Sequence, residues 1–345
     1  MSGFVRLLVL VLPAVALAVI VFGAYVRLSD AGLGCPDWPG CYGRLTVPSA
    51  AANVHLERPD WHTRPLAAGK AWREMIHRYL ASTLGLGIVI LAGAALWPAT
   101  RGGTSRVVLV LLPLVIFQGL LGMWTVTLLL KPLVVSAHLL GGLATLSLLW
   151  WNCLTVRAAR PADAVPRMLY FAARTALVIL VMQIFLGGWT SANYAALACT
   201  DFPTCQGQWW PQTDFREAFT LWRGLGINYE FGVLDTPART AIHVTHRAGA
   251  SLTALVIGIS AMLAWRRPER RLRRLASCIL AALALQVCLG IANVLGGLPL
   301  PIAVAHNGVA AIMLQTLVTL VYVTRRHCIA HGHRYSGFSR PQSLA

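Results

Sequence analysis

Long apolar segments alternate with shorter polar segments along the whole chain. Eight of the apolar segments have about 20 residues or slightly more, the length that an α-helix needs to cross a bilayer. They lie at roughly 7–27, 75–97, 106–128, 133–156, 173–193, 241–265, 273–295 and 302–324. This pattern predicts an all-α membrane protein with eight transmembrane helices.

The first apolar segment follows Arg6 and has a second interpretation as a cleavable signal peptide. No small-residue cleavage site stands out after it, and the internal repeat described below requires this segment as a helix. We therefore expect it to be retained. The composition agrees with a membrane protein, because 57% of the residues are hydrophobic and only 12% are charged.

The charges in the polar segments predict the orientation of the chain. With both termini in the cytoplasm, that side holds 17 of the 29 lysines and arginines, against two of the 12 acidic residues. Such an excess is typical of cytoplasmic segments. The net charge of +17 therefore reflects topology and gives no reason to infer a nucleic acid partner. Two long segments, at about 28–74 and 195–240, are then expected outside.

The two halves of the chain repeat each other. At an offset of 164 residues, the segment CPDWPGC falls on CTDFPTC, which has the same length and shares both cysteines, an aspartate, an aromatic residue and a proline. Because each half has an even number of spans, both copies enter the membrane in the same orientation, as parallel repeats. We expect two parallel-repeat four-helix bundles, residues 1–160 and 161–345, joined by a basic stretch near 157–167.

Four histidines stand at repeated positions near the outer ends of predicted helices, namely His77, His138, His246 and His306. Each is expected within one or two turns of its helix start, in one layer about 3 to 9 Å below the outer helix ends. Any single one is explained by hydrogen bonds between helices, but four in repeated positions favour a metal or heme. Two ligands per half favour heme, with His77 paired with His138 and His246 with His306.

Several charged or polar residues accompany these histidines. Glu74 lies one turn before His77 and could accept a proton or simply favour the helix N-terminus. The matching residue of the second half is His243, an alternative ligand or a polar residue at the helix mouth. Arg78 and Arg247 could pair with heme propionates or extend toward lipid headgroups.

The cysteine pairs Cys35/Cys41 and Cys199/Cys205 each close a short loop that contains proline. Neither loop has a second close pair to complete a zinc site, and an outer compartment favours oxidation. The spacing therefore predicts a disulfide in each loop, either structural or redox-active. The other cysteines fall in helices or in the C-terminal tail, and we expect them to be unpaired: Cys153, Cys278, Cys288 and Cys328.

The segments GAYVRLSDAGLGCPDWPGC, EMIHR, QGLLGMW, SAHLLGG, THRAGA and AVAHNG together resemble the heme A synthase family of cytochrome oxidase assembly proteins. The resemblance covers nearly the whole chain. It implies an oxidoreductase of the bacterial inner membrane that converts heme O to heme A, by successive hydroxylation of the C8 methyl group to a formyl with water as the oxygen source.

The resemblance also implies roles for the repeated residues. His77 and His138 would flank the substrate heme O, with Glu74 as the catalytic residue, and His246 and His306 would ligate a heme B cofactor. The two disulfides match those of the family, whereas some members have a carboxylate where this chain has His243. The implied partners are a membrane electron acceptor, a heme O synthase, oxidase assembly factors and a second copy of the chain.

Two other functions fit parts of the pattern. A bis-histidine b-type cytochrome would transfer electrons without chemistry at the porphyrin, but it would need neither Glu74 nor its asymmetry with His243. A transporter could also be built from parallel repeats. Its broken helices at mid-membrane depth are not obvious in the sequence, and the polar layer lies near one face.

Overall fold

A computed structural model of the protein describes residues 3–49, 65–96, 107–157 and 165–334, the side chains of 326–334 excepted. In these ranges the chain forms eight long helices and one short one: α1 (Gly3–Leu28), α2 (Ala68–Leu96), α3 (Val107–Thr127), α4 (Pro132–Val156), α5 (Arg167–Ala192), α6 (Phe215–Ala218), α7 (Thr236–Trp265), α8 (Arg270–Leu295) and α9 (Leu300–Arg334).

The eight predicted spans are confirmed, since each long helix is long and apolar enough to cross a membrane. Helices α2, α5 and α7 begin five to seven residues before the predicted spans. In α7 the earlier start has a local cause, because the Asp235 side chain accepts a hydrogen bond from the backbone N–H of Ala238 at 3.0 Å. Pro237 follows in the first turn, where its fixed φ suits a helix.

Within each half the long helices contact one another in the same order. Helix α1 packs against α2 and α4, and α3 packs against α2 and α4; α5, α7, α8 and α9 repeat these contacts. Between the halves, α1 contacts α9, α5 contacts α4, and α4 contacts α9. Exchanging the halves maps this set of contacts onto itself. These contacts are those expected of two repeated halves; the parallel orientation of the halves stays a prediction, and the expected boundary at residues 160/161 lies outside the described ranges.

The ends of the helices also match between the halves. After α1, Asp30 has a φ of 49°, and after α5, Tyr194 has a φ of 53°. The turn from α3 to α4 has left-handed backbone at Leu129 and Leu130, as the turn from α8 to α9 has at Gly297 and Leu298. In the first turn the backbone N–H of Leu130 donates to the Thr125 carbonyl at 2.8 Å, and in the second the N–H of Leu298 donates to the Asn293 carbonyl at 2.7 Å. Each hydrogen bond satisfies a carbonyl at the end of a helix.

One polar cluster joins the halves where α1 and α5 end, which we call the disulfide side because both disulfide loops follow there. Arg27 donates hydrogen bonds to the Tyr194 hydroxyl at 3.0 Å and to the Ser191 carbonyl at 2.7 Å. The Tyr194 hydroxyl in turn donates to Asp30 at 3.1 Å. Ser191 and Tyr194 are the repeat equivalents of Arg27 and Asp30, so matching positions of the two halves meet here.

The segment before α7 extends from the C-terminal half over the α3–α4 turn. The backbone N–H of Tyr229 donates to the Leu129 carbonyl at 3.0 Å. Lys131 is only 2% exposed; its Nζ donates to the Gly224 carbonyl and lies 3.3 Å from the centre of the Trp222 ring. Burial lowers the pKa of Lys131. This lysine therefore fixes the segment by a hydrogen bond and a cation–π contact.

Candidate functional site

The two predicted cysteine pairs lie at bonding distance. The Sγ atoms of Cys35 and Cys41 are 2.03 Å apart, and those of Cys199 and Cys205 are 1.98 Å apart. Among the other cysteines with described side chains, Cys153 is buried and Cys278 and Cys288 are exposed, all as thiols. Cys328 lies outside the described side chains.

An aspartate organises each disulfide loop. The carboxylates of Asp37 and Asp201 each accept two hydrogen bonds from backbone N–H groups five and six positions later, at 2.6 to 3.0 Å. Asp201 also accepts from the Thr204 hydroxyl at 2.5 Å. The Thr204 hydroxyl and these N–H groups hold the pKa of Asp201 at about 2, below its ordinary 3.8. The two loops thus share the backbone hydrogen bonds to an aspartate, and the second loop adds the Thr204 hydroxyl.

Glu74 joins the first loop to α2. It is 5% exposed, and its Oε2 accepts a hydrogen bond from the backbone N–H of Cys35 at 2.8 Å. Its Oε1 lies 2.5 Å from a guanidinium nitrogen of Arg78. Arg78 also donates to the carbonyls of Pro39 and Gly40 in the loop. Because each carboxylate oxygen has two lone pairs, Glu74 keeps the capacity to accept a further proton or hydrogen bond.

His243 takes the position of Glu74 in the second half. Its Nδ1 accepts from the backbone N–H of Cys199 at 3.2 Å, and its Nε2 lies 3.2 Å from Nε of Arg247. Arg247 donates to the carbonyls of Thr204 and Asp201, at 2.8 and 2.7 Å. Both ring nitrogens of His243 therefore face the loop and its arginine. Propionate binding by Arg78 and Arg247 stays a prediction, and both guanidinium groups already hold loop carbonyls.

The four repeated histidines form two pairs. His77 lies near His138, and His246 lies near His306. All four side chains are half-buried. One pair lies in each half, and the role of these pairs as heme ligands stays a prediction.

The predicted depth of two histidines is wrong. His77 and His246 lie nine and ten residues after the first residues of α2 and α7, about 13 to 15 Å along the axis instead of 3 to 9 Å. The reason is the early start of both helices, whose polar first turns continue beyond the apolar span. His138 and His306 each lie six residues after their helix starts, about 9 Å along the axis.

Each of these histidine rings packs against a glycine of a neighbouring helix, in the pairs Gly23–His77, Gly122–His138, Gly187–His246 and Gly290–His306. A Cβ atom built on the glycines would lie 2.8, 3.5, 3.3 and 3.2 Å, respectively, from Cε1 of the facing ring. Small residues let membrane helices approach closely. The absence of a Cβ atom at Gly23, Gly187 and Gly290 therefore lets these rings lie close to the neighbouring helix, whereas a Cβ atom at Gly122 would make an ordinary contact.

These surroundings fit a heme in each half. The Nδ1 atoms of His77, His138 and His306 are buried and have no hydrogen-bond partner within the described ranges. Unpaired ring nitrogens are costly in an apolar interior, and an imidazole nitrogen is a common axial ligand of heme iron. The donor set of two histidines per half, on different helices, is that of a bis-histidine heme site.

Residues 6–318 match the pattern of the COX15-CtaA family, described as cytochrome oxidase assembly protein. The chain belongs to this cytochrome oxidase assembly family. The heme A synthase of Shewanella oneidensis is 46% identical over 89% of this chain and 92% of its own. The heme A synthase of Paracoccus denitrificans is 31% identical over 92% of this chain and 86% of its own.

Membership of the cytochrome oxidase assembly family agrees with the eight helices in assigning an integral membrane protein. Sequence reasoning found the histidines and cysteines but missed the partners that position them. The glycines facing the rings were detectable, because Gly23 and Gly122 recur as Gly187 and Gly290 in the repeat. The contacts of Arg27 with Ser191 and Tyr194, and that of Gln183 with His246, have no comparable signal in the sequence.

Proposed function

We propose that the protein is a heme A synthase, an oxidoreductase that converts heme O to heme A for terminal oxidase assembly. Its family and its relatives named heme A synthase support this function. The observation that carries the proposal is the pair of histidines in each half, with the buried carboxylate of Glu74 beside the first pair and His243 at the matching position beside the second. Two bis-histidine sites with unequal neighbours suit one reacting heme and one redox partner.

The reaction oxidises the C8 methyl group of heme O to a formyl group. One methyl group and one water yield one formyl group, four protons and four electrons, in two successive hydroxylations followed by loss of water. In this proposal water supplies the oxygen, and a membrane electron acceptor takes the electrons.

The N-terminal half, residues 1–160, holds the substrate in this proposal. His77 and His138 flank heme O, and Glu74 takes a proton during hydroxylation. Glu74 lies one turn from His77 on α2, and its hydrogen bonds to Cys35 and Arg78 fix the carboxylate in place. A base held in one position loses less entropy in the reaction than a mobile one.

The C-terminal half, residues 161–345, holds the cofactor. His246 and His306 would ligate heme B, which supplies a one-electron redox centre when bound. In place of a carboxylate, this half has His243, directed at its disulfide loop. A histidine at the position that Glu74 takes in the other half suits an electron carrier better than a site of proton transfer.

The proposed setting is the bacterial inner membrane, with both termini cytoplasmic and the disulfide side outside. The positive charge of the predicted cytoplasmic segments supports this orientation. Heme O arriving from a heme O synthase within the membrane would enter the N-terminal half without crossing water.

The test is heme extraction from cells that express the protein together with a heme O source. The wild type is expected to yield heme A. Glu74→Gln and Glu74→Ala should accumulate heme O while the heme B spectrum stays, and His246→Ala should lose heme B. His243→Gln is the matched control, because it changes the equivalent loop contact in the other half.

A normal heme A yield from Glu74→Gln would refute the catalytic role of Glu74. Recovery of heme B alone from the wild type, with heme O available, would refute the synthase and indicate an electron-transfer cytochrome.

A further inference from the structure

The histidine pairs of the two halves differ in their glutamine neighbours. Nε2 of Gln183 lies 3.0 Å from Nδ1 of His246 and donates to the backbone carbonyl of the same residue at 3.0 Å. Nε2 of Gln286 lies 3.2 Å from Nε2 of His306. In the N-terminal half, the nearby Gln118 has a buried Nε2 without a partner within the described ranges. Hydrogen bonds from glutamine thus reach the histidines of the C-terminal half.

The repeat explains the difference between the first helices of the halves. The residue of α1 that matches Gln183 of α5 is Val19, which has no polar group to offer His77. Across from Gln183, α7 has Gly249, where a Cβ atom would lie 2.3 Å from Oε1 of the glutamine. The matching residue of α2 is Leu80. Gly249 therefore leaves room for the Gln183 amide. In the N-terminal half, Val19 has no amide at the matching position and Leu80 takes the place of the glycine.

A second contrast affects the matching glutamines Gln118 and Gln286. The amide of Gln118 lies over Gly141, where a Cβ atom would be 1.7 Å from its Nε2. The residue of α9 that matches Gly141 is Val309. A valine leaves less room for an amide at this position than a glycine does, and the Gln286 amide lies against His306.

The amide of Gln183 can support the tautomer of His246 that iron requires. A histidine that ligates through Nε2 carries its proton on Nδ1, and this N–H needs an acceptor. The Oε1 atom of Gln183 is buried without a hydrogen-bond partner within the described ranges. A half turn of the amide exchanges its two ends and presents Oε1 to Nδ1–H, with loss of the bond from Nε2 to the His246 carbonyl. One residue can thus pair with His246 in either tautomer.

We propose that Gln183 is the positioning residue that distinguishes the cofactor site from the substrate site, by fixing His246 through Nδ1 and strengthening it as an iron ligand. This inference rests on the proposed function, in which His246 ligates heme B. A hydrogen bond to Nδ1 makes the imidazole a better donor, which stabilises ferric iron and tightens binding. The N-terminal pair lacks this support, which suits a site that must release its product.

The experiment uses the full-length protein purified without a heme O source. Gln183→Leu removes the amide at nearly constant volume. Relative to the wild type, the ratio of ferric to ferrous heme at a given potential should fall about tenfold. This corresponds to a reduction potential that is higher by about 59 mV for a one-electron couple. Loss of heme to apomyoglobin should be at least about tenfold faster.

Gly249→Ala is a second variant, since its added Cβ atom displaces the Gln183 amide while the glutamine stays. It should shift the same two quantities in the same direction. Gln118→Leu and Gly141→Ala are the controls, because they make the same kinds of substitution in a glutamine–glycine contact of the N-terminal half. Both should keep the wild-type potential and heme retention of the C-terminal half.

Wild-type potential and retention in Gln183→Leu, with heme lost from His246→Ala, would overturn the role of Gln183. An equal shift in Gln118→Leu would overturn it too, because the effect would then be general to the bundle. Retention of heme by His246→Ala would instead refute the ligand assignment of the proposed function.

Discussion

Glu74 and His243 hold the same place against the two disulfide loops, and each accepts a hydrogen bond from the backbone N–H of the first cysteine. The distances are 2.8 Å from Cys35 to Glu74 and 3.2 Å from Cys199 to His243. The shared task of this position is therefore to anchor a loop. In the proposed function, a catalytic role for Glu74 adds to the anchoring role and does not replace it.

His243→Glu is expected to strengthen the second anchor. A neutral imidazole has one acceptor nitrogen for the two N–H groups that face it, whereas a carboxylate accepts both and gains a charged partner in Arg247. We expect a stabilisation of about 1 kcal/mol, measured as the free energy of unfolding in dodecyl sulfate. Glu74→His, the reverse change in the first half, should destabilise by a similar amount. A less stable His243→Glu variant would mean that the cost of burying the carboxylate exceeds its hydrogen bonds.

Gly23→Ala is expected to weaken heme O binding by at least about tenfold. Its Cβ atom would lie 2.8 Å from Cε1 of His77, so the ring must move. Gly122→Ala is the matched control, because its Cβ atom would make an ordinary contact of 3.5 Å with His138. Spectroscopic titration with heme O measures both variants. Equal affinities of the two would contradict the tight contact at Gly23.

Arg27→Gln is expected to loosen the junction between the halves. It removes the charged donor to Ser191 and Tyr194, and hydrogen bonds from a charged group contribute about 2 kcal/mol each. Tyr194→Phe, which keeps the backbone contact, should cost only about 1 kcal/mol. Unfolding in dodecyl sulfate compares the two. Tyr79→Phe is the control, because its hydroxyl bonds within one half, to the Leu45 carbonyl.

The second disulfide loop is expected to loosen in acid. The pKa of Asp201 is about 2 in the folded protein and 3.8 in its ordinary state. A lowered pKa stabilises the fold above the ordinary value, and this contribution disappears as the pH falls from about 3.8 to about 2.

Hydrogen exchange at Gln206 and Gly207, corrected for the intrinsic rate, should therefore show falling protection over that range of pH. In Asp201→Asn the protection should be low already near neutral pH and independent of acid. Unchanged protection of the wild type through this range would contradict the role of the aspartate.

Some features of the fold could be predicted from the sequence, and others could not. The eight spans and the two disulfides followed from segment length and from cysteine spacing. The depths of His77 and His246 did not, because hydropathy marks where the apolar span begins and not where the helix begins. Arg78 and Arg247 were assigned by adjacency to a histidine, yet the fold directs both at loop carbonyls.

By itself, the sequence determined the helices, their number and the matching of the halves, since these depend on local length, composition and recurrence. Only the tertiary structure decided which side chains meet, such as Gln183 with His246 and Gln118 with Gly141. The physical reason is that lipid, and not water, surrounds the helices. Lipid is as apolar as a leucine side chain, so the hydropathy of a membrane helix does not mark its inner face. The rotation of each helix is decided by close packing at small residues, and that becomes visible only when the helices are assembled.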